Sequence, residues 1–170
     1  MTLLTSLVAR FTVLEAELNA LDAAAGDGDH GSTILRGLRA AEAADYPMVA
    51  FRTATGGASG SLFAHLLGAL IAHRSGEPLA PALTRAAQRI GAAGQARPGD
   101  RTMLDALIPA SLADTPAAAA RAAATGAAAT VTMTARRGRA RHVEGAGLGH
   151  VDAGARSVAE MLAVLAGGSP

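Results

Sequence analysis

Apolar residues recur every three or four positions at Leu3, Leu7, Phe11, Leu14, Leu18 and Leu21. That is the spacing of one face of an amphipathic helix. It predicts a first helix that stops at the loop Ala25-Gly26-Asp27-Gly28-Asp29-His30-Gly31. A second helix is predicted over about residues 32–44, ending before Tyr46-Pro47. After Thr55-Gly56-Gly57 comes a stripe of Leu62, Phe63, Leu66, Leu67, Leu70 and Ile71, broken by Ser75-Gly76. Pro78 or Pro81 suits the first turn of the next helix, and residues 94–99 read as a loop. Leu104, Leu107, Ile108 and Leu112 mark a further helix. Thr115 and Pro116 fit the N-cap and first position of an Ala-rich helix over residues 117–135. A Gly-, Arg- and His-rich loop over 136–154 precedes a closing helix marked by Val158, Met161, Leu162 and Leu165. No segment alternates with the period of two that a strand needs. The expected fold class is all-α, with Gly-rich loops between helices.

Composition agrees with close-packed helices. Half of the 170 residues are apolar, but aromatics are only 2% and Trp is absent, so the core must be Leu, Ala, Val, Ile and Met. The length fits one domain, residues 1–170. A formal net charge of +1 gives no field that recruits nucleic acid or a membrane surface. The first eleven residues lack the basic start of a secretory signal, and the strongest apolar run, residues 62–72, contains His65 and is too short to span a bilayer. A cytoplasmic location is therefore expected. Without cysteine there is no disulfide framework and no thiolate chemistry.

All fifteen basic side chains are Arg. A Walker-A loop and a protein kinase each need a Lys, so both are excluded. Nucleotide phosphates, if handled at all, must be met by metal, backbone amides or Arg.

Asp22, Asp27 and Asp29 fall within a short Gly-rich segment. Carboxylates this close repel one another unless a cation joins them, and magnesium pairs readily with carboxylates and phosphates. A calcium EF-hand fails on detail: counted from Asp27, its Gly position is Ser32 and its Glu position is Leu38. The structural alternative is a solvated turn in which Asp caps the next helix. His30-Gly31-Ser32-Thr33 opens that helix, whose free amides would seat a phosphate. The run Gly56-Gly57-Ala58-Ser59-Gly60 also precedes a helix and offers amides and a hydroxyl; alternatively, Gly56 and Gly60 only let helices pack closely. Arg97-Pro98-Gly99-Asp100-Arg101-Thr102-Met103 is a turn leading into a helix, where Met103 fits a core role and Asp100 an N-cap. Arg136, Arg137, Arg139 and Arg141 form either a solvated basic face or a clamp on transferred charge. His65 and His73, on an apolar helix, read as structural.

Taken in order, residues 22–31, 56–60, 98–107, 137–140 and 149–154 resemble the dihydroxyacetone kinase L subunit, the nucleotide-binding part of that kinase family. The resemblance spans nearly the whole chain. It implies a barrel of about eight antiparallel helices with nucleotide at one end. Asp22, Asp27 and Asp29 match the family's ligands for two magnesium ions. His30, Gly31, Ser32, Thr33, Ala58 and Ser59 fall on its phosphate contacts, and Gly94 and Met103 on its adenine end. Arg139 and the turn Asp152-Ala153-Gly154 fall on its remaining nucleotide contacts. Asp22, Asp27, Asp29, His30 and Arg139 are the implied catalytic set. Ala153 departs from the family's usual Pro, which softens the closing turn.

The implied activity is phosphoryl transfer from magnesium-bound ADP/ATP chemistry to dihydroxyacetone. The sugar would be held on a His of a separate K subunit or domain. The donor would be ATP or, with ADP as a retained cofactor, a phosphohistidine protein of the sugar phosphotransferase system (an M subunit). A homodimer or hetero-oligomer is expected. Rival expectations are a different ketose such as a tetrulose, a regulator that binds a transcription factor according to nucleotide state, and a helical lipid-binding or scaffold domain.

Overall fold

The computed structural model describes residues 1–137, 139–142 and 144–167; for residues 139, 140, 144 and 146 it describes the backbone alone. The described residues form eight α-helices: α1 (Leu3–Ala23), α2 (His30–Glu42), α3 (Pro47–Thr55), α4 (Gly57–Arg74), α5 (Leu79–Gly94), α6 (Leu104–Ser111), α7 (Pro116–Ala129) and α8 (Ala153–Leu165). Short 3-10 turns lie between α7 and α8, and no strand occurs among the described residues. Each helix packs on the next, and α8 returns to pack on α1. The ring is closed, so the all-α barrel expected from the sequence is the fold. No described helix is long and apolar enough to cross a membrane.

The periodic stripe of α1 puts Leu7, Phe11, Leu14 and Leu18 in the core, while Leu3 and Leu21 at its ends are only partly covered. Thr2 caps this helix by accepting the Thr5 N–H at 3.1 Å. In α7 the buried positions are Ala119, Ala123 and Ala127, four apart, which makes a smooth face against α6 and α8. Gly126 adds to it: a methyl there would collide with the Asp105 carbonyl of α6. Thr115 accepts the Ala118 N–H at 3.2 Å, as an N-cap should.

One expectation needs correction, and one helix went unread. The Ala-rich helix stops at Ala129, not residue 135, because Thr130 turns inward. Its buried hydroxyl donates to the Ala127 carbonyl at 2.5 Å and accepts the Asp152 N–H at 2.9 Å. The second helix ends before Tyr46-Pro47 as expected, and Pro47 then takes the first position of α3, a helix not read from the sequence, in which Phe51 is fully buried.

In a ring of helices that run up and down in turn, the links α1–α2, α3–α4, α5–α6 and α7–α8 fall at the same end. Those four links carry the acidic loop, Gly56, the segment 95–103 and the segment 130–152. Residues far apart in sequence are thereby gathered at one rim.

Candidate functional site

The acidic loop is folded by its own first carboxylate. Asp22, in the last turn of α1, accepts the N–H groups of Gly28 at 2.9 Å and Asp29 at 3.1 Å through Oδ2. Gly28 has a left-handed φ of 76°, which turns the chain back towards Asp22. A Cβ on Gly26 would stand 2.6 Å from Asp22 Oδ1. Thus the glycines are there to let the chain wrap one side chain. Within this loop Asp22, Asp27 and Asp29 each bring one carboxylate oxygen to within 4.8 Å of the others. Three hard oxygen donors so placed fit magnesium by donor chemistry.

α2 opens at His30, two positions before the start read from the sequence. His30 Nε2 lies 2.8 Å from Ser157 Oγ on α8, and its ring meets Phe63 of α4 edge-on at 5.5 Å. Burial pushes the imidazole pKa down, against the opposing pull of Asp22 and Asp29. Gly31 and Ser32 turn the other way. A Cβ on Gly31 would strike the Glu15 carbonyl of α1, and Ser32 Oγ donates to Glu15 Oε1 at 2.7 Å while accepting from Asn19 at 2.9 Å. Neither lines the cavity; Thr33 does.

Opposite stands the turn between α5 and α6, which is tied by Asp105. Its two oxygens accept the Gly99 N–H at 2.5 Å and the Thr102 N–H at 2.8 Å. The closing turn leans on it. Asp152 caps α8 by accepting the Ala155 N–H at 2.8 Å, and Gly154 lies so close that a Cβ would stand 3.5 Å from that of Met103. Burial pushes the Asp152 carboxyl from the ordinary 3.8 up to about 6, despite the Ala155 N–H and Arg101. Arg137 pairs with Asp100 at 3.4 Å.

These parts surround a cavity of about 380 Å³, within the range of small-molecule sites. Asp22, Asp29, His30 and Thr33 are on its wall, together with Ala58, Ser59, Gly94, Met103, Asp152, Ala153 and Gly154. Asp27 completes the acidic cluster at this end. The Arg139 side chain lies outside the described residues. Sequence reasoning missed Arg101, Phe63 and Ile90 on the wall, and Ser157 behind His30. Only Arg101 had a signal, since it sits in the Pro-Gly-Asp-Arg-Thr-Met turn.

Residues 24–167 match the model of the DAK2 domain. The chain belongs to the DAK2 domain family. An L-erythrulose 1-kinase of Mycolicibacterium smegmatis is 36% identical to this DAK2 chain, over 89% of the chain and 32% of that kinase. The human triokinase/FMN cyclase is 37% identical over 55% of the chain and 20% of its own length. Among solved structures, the dihydroxyacetone kinase of C. freundii in complex with AMP-PNP and Mg2+ superposes with a TM-score of 0.75 at 29% identity, covering 97% of this chain and 33% of that one. The DAK2 chain therefore spans about a third of the length of these larger relatives.

Proposed function

We propose that this chain holds a magnesium-bound adenine nucleotide for phosphoryl transfer to a small ketose carried on a separate K subunit or domain. The observation that carries the reading is the convergence of Asp22, Asp27 and Asp29 at the end of the barrel where the cavity opens. The similar C. freundii kinase, crystallised with AMP-PNP and Mg2+, supports it.

In this reading Asp22, Asp27 and Asp29 hold the metal, two ions by the family resemblance. When bound, the metal neutralises phosphate charge and aligns the transferred group. His30, oriented by Ser157 and Phe63, stays in place beside the carboxylates. Thr33, Ala58 and Ser59 border the phosphates, and Gly94 and Met103 the adenine. Arg139 and the 152–154 turn close the site. Gly31 and Ser32 act from behind, since they pack on α1.

Dihydroxyacetone is the substrate this family resemblance implies. A four-carbon ketose is the second reading, and it is favoured by the erythrulose kinases among the relatives. The sugar itself is assigned to the K partner.

Calorimetric titration with ADP tests the reading. Binding should be tight with magnesium, weak after chelation, and weak for Asp27→Ala even with magnesium. Asp29→Asn should abolish transfer beside a K subunit yet keep the helical circular dichroism. The chain alone, given ATP and dihydroxyacetone, should yield no phosphorylated sugar. Equal ADP affinity with and without magnesium would sink the metal reading.

A further inference from the structure

Arg101 is not accounted for by the residues assigned so far. Its backbone is left-handed, with φ 59°, a conformation that costs a branched or long side chain about 1 kcal/mol and persists only when its surroundings demand it. The side chain is 1% exposed, yet it is a cation. Nη2 donates to the His150 carbonyl at 2.9 Å, and Nη1 stands 3.7 Å from Asp152 Oδ1. Nε is buried without a hydrogen-bond partner among the described residues. The guanidinium lies flat against Gly147, where any Cβ would collide with it. Gly147 itself has φ 75°. Arg101 is also on the cavity wall, between Met103 and Asp152.

We infer that Arg101 is the positioning residue of the closing turn: it fastens the segment 147–152 to the α5–α6 turn and so holds Asp152-Ala153-Gly154 over the nucleotide. The inference rests on the nucleotide reading above and deepens it. The segment 130–152 is long and contains several glycines, and among its described residues the regular structure is limited to short 3-10 turns. Among the described residues, Thr130 and Val131 anchor the Asp152 and Gly149 N–H groups, Val151 packs on the core, and Arg101 adds the side-chain contacts to His150 and Asp152. A rigid planar guanidinium donates to the His150 carbonyl while its other nitrogen stays beside the Asp152 carboxylate, in a fixed geometry that a flexible ammonium does not impose. The side chain acts through the turn and not on the reacting atoms.

The test uses a fluorescent ADP analogue loaded with magnesium and chased with excess ADP, alongside the melting temperature of the nucleotide-free chain. Arg101→Gly removes the fork but relieves the left-handed backbone, so the fold should be spared while release speeds up by about tenfold or more, the scale of one charge-assisted bond. Arg101→Lys keeps the charge without the fork and should fall between. Gly147→Ala leaves Arg101 in the chain but pushes the guanidinium away, and should speed release as well. The double variant has room for the methyl and should release no faster than Arg101→Gly alone, because both changes break one contact. Release within about twofold of wild type in Arg101→Gly and Gly147→Ala alike overturns the inference, as does a lower melting temperature with unchanged release. Should Arg101→Gly not fold, Gly147→Ala decides by itself. A wild-type chain that fails to bind the analogue would instead overturn the nucleotide reading and this inference with it.

Discussion

Asp152 has two tasks that pull against each other. Its carboxyl caps α8 through the Ala155 N–H, and it faces the buried Arg101 guanidinium at 3.7 Å, too far for a tight pair. Burial therefore wins, and its pKa rises from 3.8 to about 6. A folded-state pKa above the unfolded one means that the native chain binds the extra proton between those two values. The linked stability is then fully present below about pH 4 and is lost as pH rises through about 6. A rise of this size corresponds to about 2–3 kcal/mol. Asp152→Asn keeps an N-cap oxygen but cannot titrate. In urea unfolding of the magnesium-free chain, the variant should gain on wild type between pH 4 and pH 7 by about that amount. A difference that stays flat across this window would contradict the assignment.

At the scale of elements, the strongest periodicities were legible. The α1 stripe and the Thr115-Pro116 start of α7 are where the pattern puts them, because a buried face and a cap leave local marks. α3 was not legible: its nine residues give only about two and a half turns, and Pro47 signals a helix start as well as a break. Among site residues, the acidic loop could be read because its three carboxylates are neighbours in sequence. Ser32 was placed among the phosphate contacts by the resemblance, and which way its hydroxyl faces, here towards Glu15 and Asn19, could not be read from the sequence. Arg101 stood in the legible Pro-Gly-Asp-Arg-Thr-Met turn, but its role was hidden for a different reason. Its partners lie beyond residue 146, and its left-handed φ leaves no trace in the chemistry of an Arg. The α6–α7 contact gives a prediction at this scale. Gly126→Ala gains up to about 1 kcal/mol of helix propensity, but its methyl meets backbone atoms of Asp105 and Ala106 that cannot move aside like a side chain. Overpacking should win, lowering unfolding stability by about 1–2 kcal/mol net. Urea midpoints of the two chains check this, and an unchanged or raised midpoint would mean that α7 can slide on α6.

In the proposed reading, the closed ring sets what the whole molecule can do with a nucleotide. Four alternate links meet at one end, so the wall of the cavity is made of those loops together with the helix ends beside them. Exchange of the occupant then depends on how firmly those loops are tied. The acidic loop is tied by Asp22, the α5–α6 turn by Asp105, and the closing segment by Thr130 and Arg101. One tie is looser than the resemblance implies. Ala153 is the first residue of α8, a position where Pro would fix φ at little cost, since the N–H there needs no helical partner. Three built-in ties against one softened position favour slow exchange, which suits ADP kept as a cofactor and recharged in place rather than swapped for ATP at each turnover. Chain purified without added nucleotide, then denatured, should release ADP close to one per chain. Ala153→Pro, whose preceding Asp152 already has the extended ψ of 126° that Pro requires, should slow exchange of labelled ADP further. An empty site that exchanges labelled ATP rapidly would instead mark an ordinary ATP-dependent kinase subunit, with loops that open at every cycle.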